Sequence, residues 1–287
     1  MPRVYLVRHA ENVANLTKEF SHRLVDYPLT DKGRLQAAQT AEYFRNRPIV
    51  AIYTSPLRRT RETAAIIGEA IGLEPIVIEQ FREINVGTLE QQAPTPELWT
   101  YHNSVLEGWF RGTSDERFPD GETYSELWQR AQTGFRQLAI EQPEGEIVLV
   151  GHGGIFAMTI GALCPDMDRR IIFQAPNHNC AISQLDLSLR DGKPSGTFVA
   201  WADATHLHGD AADFVPGSPP KEYFQTQEAN RSSPARFNRR LDRSPPPPGL
   251  RQNPNCYSIG GTFSSIPTLS ALAEGRISVL AANSSST

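Results

Sequence analysis

Four short apolar runs punctuate the first half of the chain and its middle. Val4-Tyr5-Leu6-Val7, Ile49-Val50-Ala51-Ile52-Tyr53 and Ile147-Val148-Leu149-Val150 carry no polar residue that would mark an exposed face. Such runs suit strands covered on both sides, and Pro75-Ile76-Val77-Ile78 reads as another. The spacing between them is helical. Thr30 caps a helix through about Asn46 with Leu35, Ala38 and Ala41 on one face. Ser55-Pro56 offers a capping hydroxyl before a proline at the first helical position, with Thr60, Ala64, Ile67 and Ile71 following at helical intervals and Gly72 closing the segment. From Glu122 a longer helix turns Leu127, Ala131, Phe135 and Leu138 inward, and Ile155 to Leu163 forms another. Ala181–Leu187 and Thr197–Trp201 read as two closing strands. This alternation predicts an α/β fold, a three-layer α/β/α sandwich around a mostly parallel central sheet.

The pattern fades near Gly209. Beyond it the chain gathers Pro, Ser, Arg and Asn, including Ser244-Pro245-Pro246-Pro247-Pro248-Gly249. A stretch of this composition buries too little apolar surface to offset the entropy of ordering it. We therefore expect a folded domain over 1–209 and a disordered Pro/Ser/Arg-rich tail over 210–287. The arginine-rich part, Arg231 to Arg251, is suited to an acidic partner; the segment Ile266 to Leu280 shows no period.

Composition narrows the class of protein further. At 287 residues, 39% hydrophobic and with a net charge of -4, the chain suits an ordinary soluble globular protein and offers no basic surface for nucleic acid. Cys164, Cys180 and Cys256 are too scattered for a disulfide framework or a zinc site. Met1-Pro2-Arg3 leads straight into the first strand, and no apolar stretch has signal-peptide or membrane-spanning length. The expectation is a cytoplasmic protein with no membrane contact.

The candidate chemistry sits at the strand ends. The first run is followed by Arg8-His9-Ala10-Glu11, the last by Gly151-His152-Gly153-Gly154, and the second by Ser55-Pro56-Leu57-Arg58-Arg59. Open α/β folds place their ligands at this sheet edge. A histidine beside an arginine there can attack a phosphoryl group whose oxygens the planar guanidinium holds. His206, His208 and Asp210 are only a weak metal-like grouping and read as a loop.

These motifs resemble the histidine phosphatase superfamily, also called the phosphoglycerate mutase-like family. Its Arg-His-Gly signature, with an Asn six positions after the His, is matched by Arg8, His9, Ala10 and Asn15. Its Ser-x-Leu-x-Arg-Ala-x-Gln-Thr-Ala signature is similar to Ser55 through Ala64, which aligns the catalytic arginine with Arg59. The acidic motif matches Glu83 to Gly87, the His-Gly motif matches His152-Gly153, and Leu29 to Ala37 resembles the family's Leu-Thr-x-x-Gly-x-x-Gln-Ala segment. The likeness runs from about Pro2 to Trp201. Ala10, Thr60, Glu62 and Leu89-Glu90-Gln91 depart from the pattern.

The resemblance implies a phosphatase that needs neither metal nor cofactor and acts on a small-molecule phosphomonoester. It makes His9 the nucleophile, Glu83 the general acid with Glu11 as its rival, and Arg8, Asn15, Arg59, His152 and Gly153 the phosphate-binding set. His152, if protonated, would add a donor, and Gly153 and Gly154 would let backbone amides approach the phosphate. The segment from Glu90 to Phe118, with Trp99, His102, Trp109 and Arg111, either closes over the pocket or packs on itself. Mutase-type transfer uses the same residues, but the Glu-Arg-His-Tyr-Gly segment of the cofactor-dependent mutases is absent here. A non-catalytic phospho-ligand binding module is the remaining alternative.

Overall fold

The structure, a computed structural model, describes residues 1–175, 177–219 and 223–224. The chain divides into a compact unit, Met1–Pro234, and a second unit, Ala235–Thr287, that falls outside the described residues. Cys256, the stretch from Arg231 to Arg251 and most of the expected tail therefore also lie outside them.

Six strands form one sheet: β1 (Arg3–Arg8), β2 (Ile49–Thr54), β3 (Ile76–Val77), β4 (Glu146–Gly151), β5 (Ile182–Arg190) and β6 (Lys193–Asp203), in the order β3-β2-β4-β1-β5-β6. The first four are mutually parallel, β5 is added antiparallel to β1, and β6 is added antiparallel to β5. The antiparallel pair is longer than the apolar pattern suggests, because Asp191 and Gly192 make a two-residue hairpin with φ of 50° and 74°. Positive φ at both positions suits the right-handed twist of the flanking strands.

Apolar runs with no polar face arise because both faces of the sheet are covered. Val4, Leu6, Ala51, Tyr53, Ile147 and Leu149 point into one core with α5 (Tyr124–Glu141) and α6 (Gly153–Leu163). Their alternates Tyr5, Val7, Ile52, Val148 and Val150 point into the other, against α2 (Asp31–Phe44) and α3 (Arg58–Ile71). Leu127, Ala131, Phe135 and Leu138 on α5 are all fully buried, and each of the larger ones contributes roughly 1.5–3 kcal/mol. Two short helices, α1 (Val13–Thr17) and α7 (Ile171–Gln174), and the longer α4 (Pro96–Arg111) complete the fold. No helix among the described residues is long and apolar enough to cross a membrane.

Two helical expectations need correction. Thr30 does cap α2, accepting from the Gly33 amide, but the buried face is Gly33, Gln36, Ala37, Thr40, Ala41 and Phe44, while Leu35 is 42% exposed. The face is partly polar because it has polar work to do. Gln36 accepts from the Glu11 amide and donates to Ala211 O, and Thr40 meets His206 Nε2 at 3.0 Å. The second correction concerns α3, which starts at Arg58 with Leu57 as its cap and no side-chain capping bond, so Ser55-Pro56 is not its first turn. Its end is as expected, at Gly72 with φ 71°.

Candidate active site

Strand register brings the distant motifs together. Arg8 pairs with Gly151 and Thr54 with Val150, so His9, Ser55 and His152 leave the same sheet edge side by side. Backbone bonds from His9 N to Gly151 O and from Ser55 N to Val150 O fix the exits. The rings of His9 and His152 lie 5.3 Å apart. Arg8, His9, Asn15, Arg59, Glu83 and Gly153 all line one cavity of about 350 Å³.

His9 is 4% exposed, and its Nδ1 lies 2.8 Å from Ala10 O. A carbonyl only accepts, so Nδ1 carries the proton and Nε2 keeps its lone pair. Burial, then the charges of Arg59 and Arg8, push the His9 pKa well below the ordinary histidine value. Ala10 is enclosed without a left-handed φ. The usual glycine is therefore not required at this turn.

The guanidiniums are buried with donors to spare. Arg59 is 2% exposed. Its Nη2 donates to Ser21 O and to His152 Nδ1, while its Nε and Nη1 are buried with no hydrogen-bond partner, Nη1 lying 3.9 Å from Asp26 Oδ1 as an ion pair. Arg8 Nη1 donates to Asn177 O, and its Nε is likewise unpartnered. Burial lowers both to about 10, which leaves each fully charged at neutral pH. Unpartnered buried donors are costly unless something complements them. An anion would complement them. Asn15 Oδ1 already accepts from Asn12 N and Asn179 Nδ2, which leaves its NH₂ for the same anion.

Glu83 sits at the start of α6. Its Oε1 accepts from the amides of Ile84 and Ile155 at 2.9 Å each, and its Oε2 from Gly154 at 3.1 Å. The expectation that Gly154 would offer its amide to phosphate is thus overturned, because the carboxylate has taken that helix N-terminus. A Cβ on Gly154 would come within 2.7 Å of Glu83 Oε1. The backbone behind Glu83 is held by Arg130, which donates to the carbonyls of Gln80, Arg82 and Glu83 and is bound by Glu122.

His152 is one layer further back than expected. It is fully enclosed, does not line the cavity, and has both nitrogens engaged. Arg59 donates to its Nδ1, so its Nε2 carries the proton and donates to Ser55 Oγ at 2.7 Å. Burial and the Arg59 charge push its pKa well below the ordinary value. His152 is therefore neutral; it does not add the donor that protonation would give, and it fixes Arg59 instead.

Glu11 leaves the contest for general acid. Its carboxylate accepts from Thr30 Oγ1 at 2.8 Å and lies 3.5 Å from Lys32 Nζ, outside the cavity lining. Arg111, named in the segment from Glu90 to Phe118, is exposed and paired with Glu107 and does not line the cavity.

A family model for the histidine phosphatase superfamily (branch 1) matches residues 4–201. The chain belongs to that superfamily. Among similar histidine phosphatase superfamily relatives, a protein named probable phosphoglycerate mutase GpmB from Enterobacter sp. (strain 638) is 37% identical over 226 residues, 74% of this chain and 98% of its own. A mycobacterial glucosyl-3-phosphoglycerate phosphatase shares the fold with a TM-score of 0.60 at 24% identity, over 71% of this chain and 100% of that one. The α-ribazole phosphatase of Shigella flexneri does so with a TM-score of 0.55 at 20% identity, over 70% of this chain and 96% of that one.

Several residues of this superfamily member's cavity carry no motif. Lys18, Glu19, Phe20 and Ser21 line it from the loop after α1, and Trp99, His102 and Leu106 from α4. Of the segment from Glu90 to Phe118, then, one face of α4 reaches the cavity and another packs inward through Trp109, which is 1% exposed. Glu90 shapes the facing loop: its Oε1 accepts from four successive amides, His22 through Val25. Phe214, Gly217 and Ser218 close the cavity from beyond the family match. Their segment is tied down by Lys18 Nζ to Pro216 O and Gln36 Nε2 to Ala211 O. His206 and His208 do not join a metal-like cluster, since no group of three or more His, Cys, Asp or Glu that could hold an ion occurs among the described residues.

Proposed function

We propose that the protein is a metal-independent phosphatase that hydrolyses a phosphomonoester through a phosphohistidine on His9. The observation that carries this reading is the pairing of a neutral His9, its Nε2 lone pair free, with the unpartnered buried donors of Arg8 and Arg59 in one cavity. Phosphoryl transfer asks mainly for positioning and charge stabilisation, and two guanidiniums supply both.

In the first step His9 Nε2 forms a bond to phosphorus as the ester P–O bond breaks, and the departing alkoxide takes a proton from Glu83. That proton belongs on Oε2, which accepts one amide where Oε1 accepts two. In the second step water gives a proton to Glu83 and its oxygen to phosphorus, the N–P bond breaks, and inorganic phosphate leaves. Arg8, Arg59, Asn15 and the Gly153 amide hold the phosphoryl oxygens throughout, and His152 holds Arg59.

Mutase-type transfer, in which a second hydroxyl replaces water, is favoured by the name of the 37% identical relative. Rates on a panel of phosphomonoesters in EDTA test the main reading. Turnover unaffected by EDTA and reduced at least ~10³-fold in His9→Ala is expected for loss of a nucleophile. A metal requirement, or wild-type rates in His9→Ala, would overturn it. A bisphosphorylated primer with a monophosphate acceptor separates the mutase, through isomerised product in place of free phosphate.

A further inference from the structure

The cavity extends beyond its phosphate end. The extension is walled by Phe20, Ile84, Val86, Trp99, Leu106 and Phe214. Phe20 and Trp99 lie 4.4 Å apart between ring centres, and Trp99 is pinned by donating to Lys18 O at 3.1 Å. His102 joins them, with ring centres 4.8 Å from Phe20 and 5.1 Å from Trp99. Burial pushes its pKa down to about 4, so this wall is uncharged at neutral pH. The wall is also aromatic enough to grip an apolar group by stacking and area burial.

Charge in this part is set against an anion. Glu19 lines the cavity, its carboxylate held by Thr17 Oγ1 at 2.5 Å and Tyr27 OH at 3.5 Å. Apart from Arg8 and Arg59 at the phosphate end, the cation among the described lining residues is Lys18. Its ammonium already donates to Asn15 O at 2.7 Å and Pro216 O at 2.6 Å. A carboxylate carried by the leaving group would face Glu19, while Lys18 has two of its three donors committed to backbone carbonyls.

We infer that the leaving-group part of this cavity selects an uncharged, apolar alcohol, so that the preferred substrate is a phosphomonoester of an alkyl or aryl-alkyl group, with Trp99 and Phe214 as the residues that determine the preference. Phe214 lies beyond the segment the family model matches, which ends at residue 201. This inference rests on the phosphatase reading above.

The test is a series of straight-chain alkyl phosphates from ethyl to octyl, with 3-phosphoglycerate and glycerol phosphate beside them, at one pH in EDTA. Beyond ethyl their leaving groups differ little in basicity, so kcat/KM reads the pocket. It should rise about threefold per methylene until the wall is filled, and octyl phosphate should exceed 3-phosphoglycerate by at least ~30-fold. The octyl-to-ethyl ratio should fall at least ~5-fold in Trp99→Ala and in Phe214→Ala. Because the ratio is taken within each variant, partial unfolding lowers both rates and leaves it unchanged. Equal rates on octyl and ethyl phosphate, or a preference for 3-phosphoglycerate, would overturn the apolar subsite and leave the phosphatase reading standing. Absence of turnover on every ester would overturn both.

Discussion

Ser55 Oγ lies 2.7 Å from Nε2 of His152, across 97 positions of sequence. Through this bond one strand end sets the ring that a second has delivered, and the ring's other nitrogen then holds Arg59. Ser55→Ala removes the acceptor and leaves a buried N–H unpaired. It should destabilise the fold by about 1–3 kcal/mol and lower kcat by roughly tenfold through the misplaced guanidinium. Urea unfolding and initial rates check the two effects, and rescue by Ser55→Thr would assign both to the hydroxyl.

Gly154 makes room for Glu83. With a Cβ 2.7 Å from Oε1, Gly154→Ala must shift the carboxylate. Alkyl phosphates, whose leaving groups need the proton, should slow by about 10²-fold and aryl phosphates far less. Equal slowing of both classes would remove Glu83 from the acid role.

The Glu122–Arg130 pair supports the same carboxylate from behind. Arg130→Ala would strand a mostly buried Glu122 and release three carbonyls, a loss of about 3–5 kcal/mol for a broken buried pair. Thermal and urea unfolding should show it. An unchanged midpoint would place the support of the loop from Gln80 to Glu83 elsewhere.

Acid should destabilise the fold through its histidines. Burial lowers the pKa of His9, His22, His102, His152 and His206 in the folded state. Below about pH 6.5 the unfolded chain therefore binds more protons than the native one, and stability falls as pH falls. The decline continues to about pH 4, where His102 and His206 titrate in the folded protein. Urea midpoints at pH 7.5, 6.5 and 5.5 should drop in that order; a flat series would contradict the buried neutral rings.

The sheet was legible because doubly covered strands are apolar throughout, as in Val4–Val7 and Ile147–Val150. The histidines and Arg59 were legible because each follows such a strand or opens a helix, so local pattern and family motif coincide. Ser55 was misread for a physical reason. A serine before a proline looks like a cap, and nothing local reveals that a histidine 97 positions away claims its hydroxyl. The inner face of α2 was missed because Gln36 and Thr40 are buried for their hydrogen bonds, which an apolar period does not count. Whether His152 is protonated is not legible in the sequence, because its enclosure and the Arg59 charge come from the fold. His102 and Phe214 carry no motif at all; only packing brings them to the cavity.

The central claim is that His9 attacks phosphorus through Nε2, since Nδ1 is committed to Ala10 O. Rapid-quench trapping with a labelled ester, followed by alkaline workup and peptide and ³¹P analysis, tests it directly. The account predicts acid-labile, base-stable phosphate on His9, in the Nε2-linked isomer, absent from His9→Ala. Phosphate on any other residue, or on Nδ1, would contradict it.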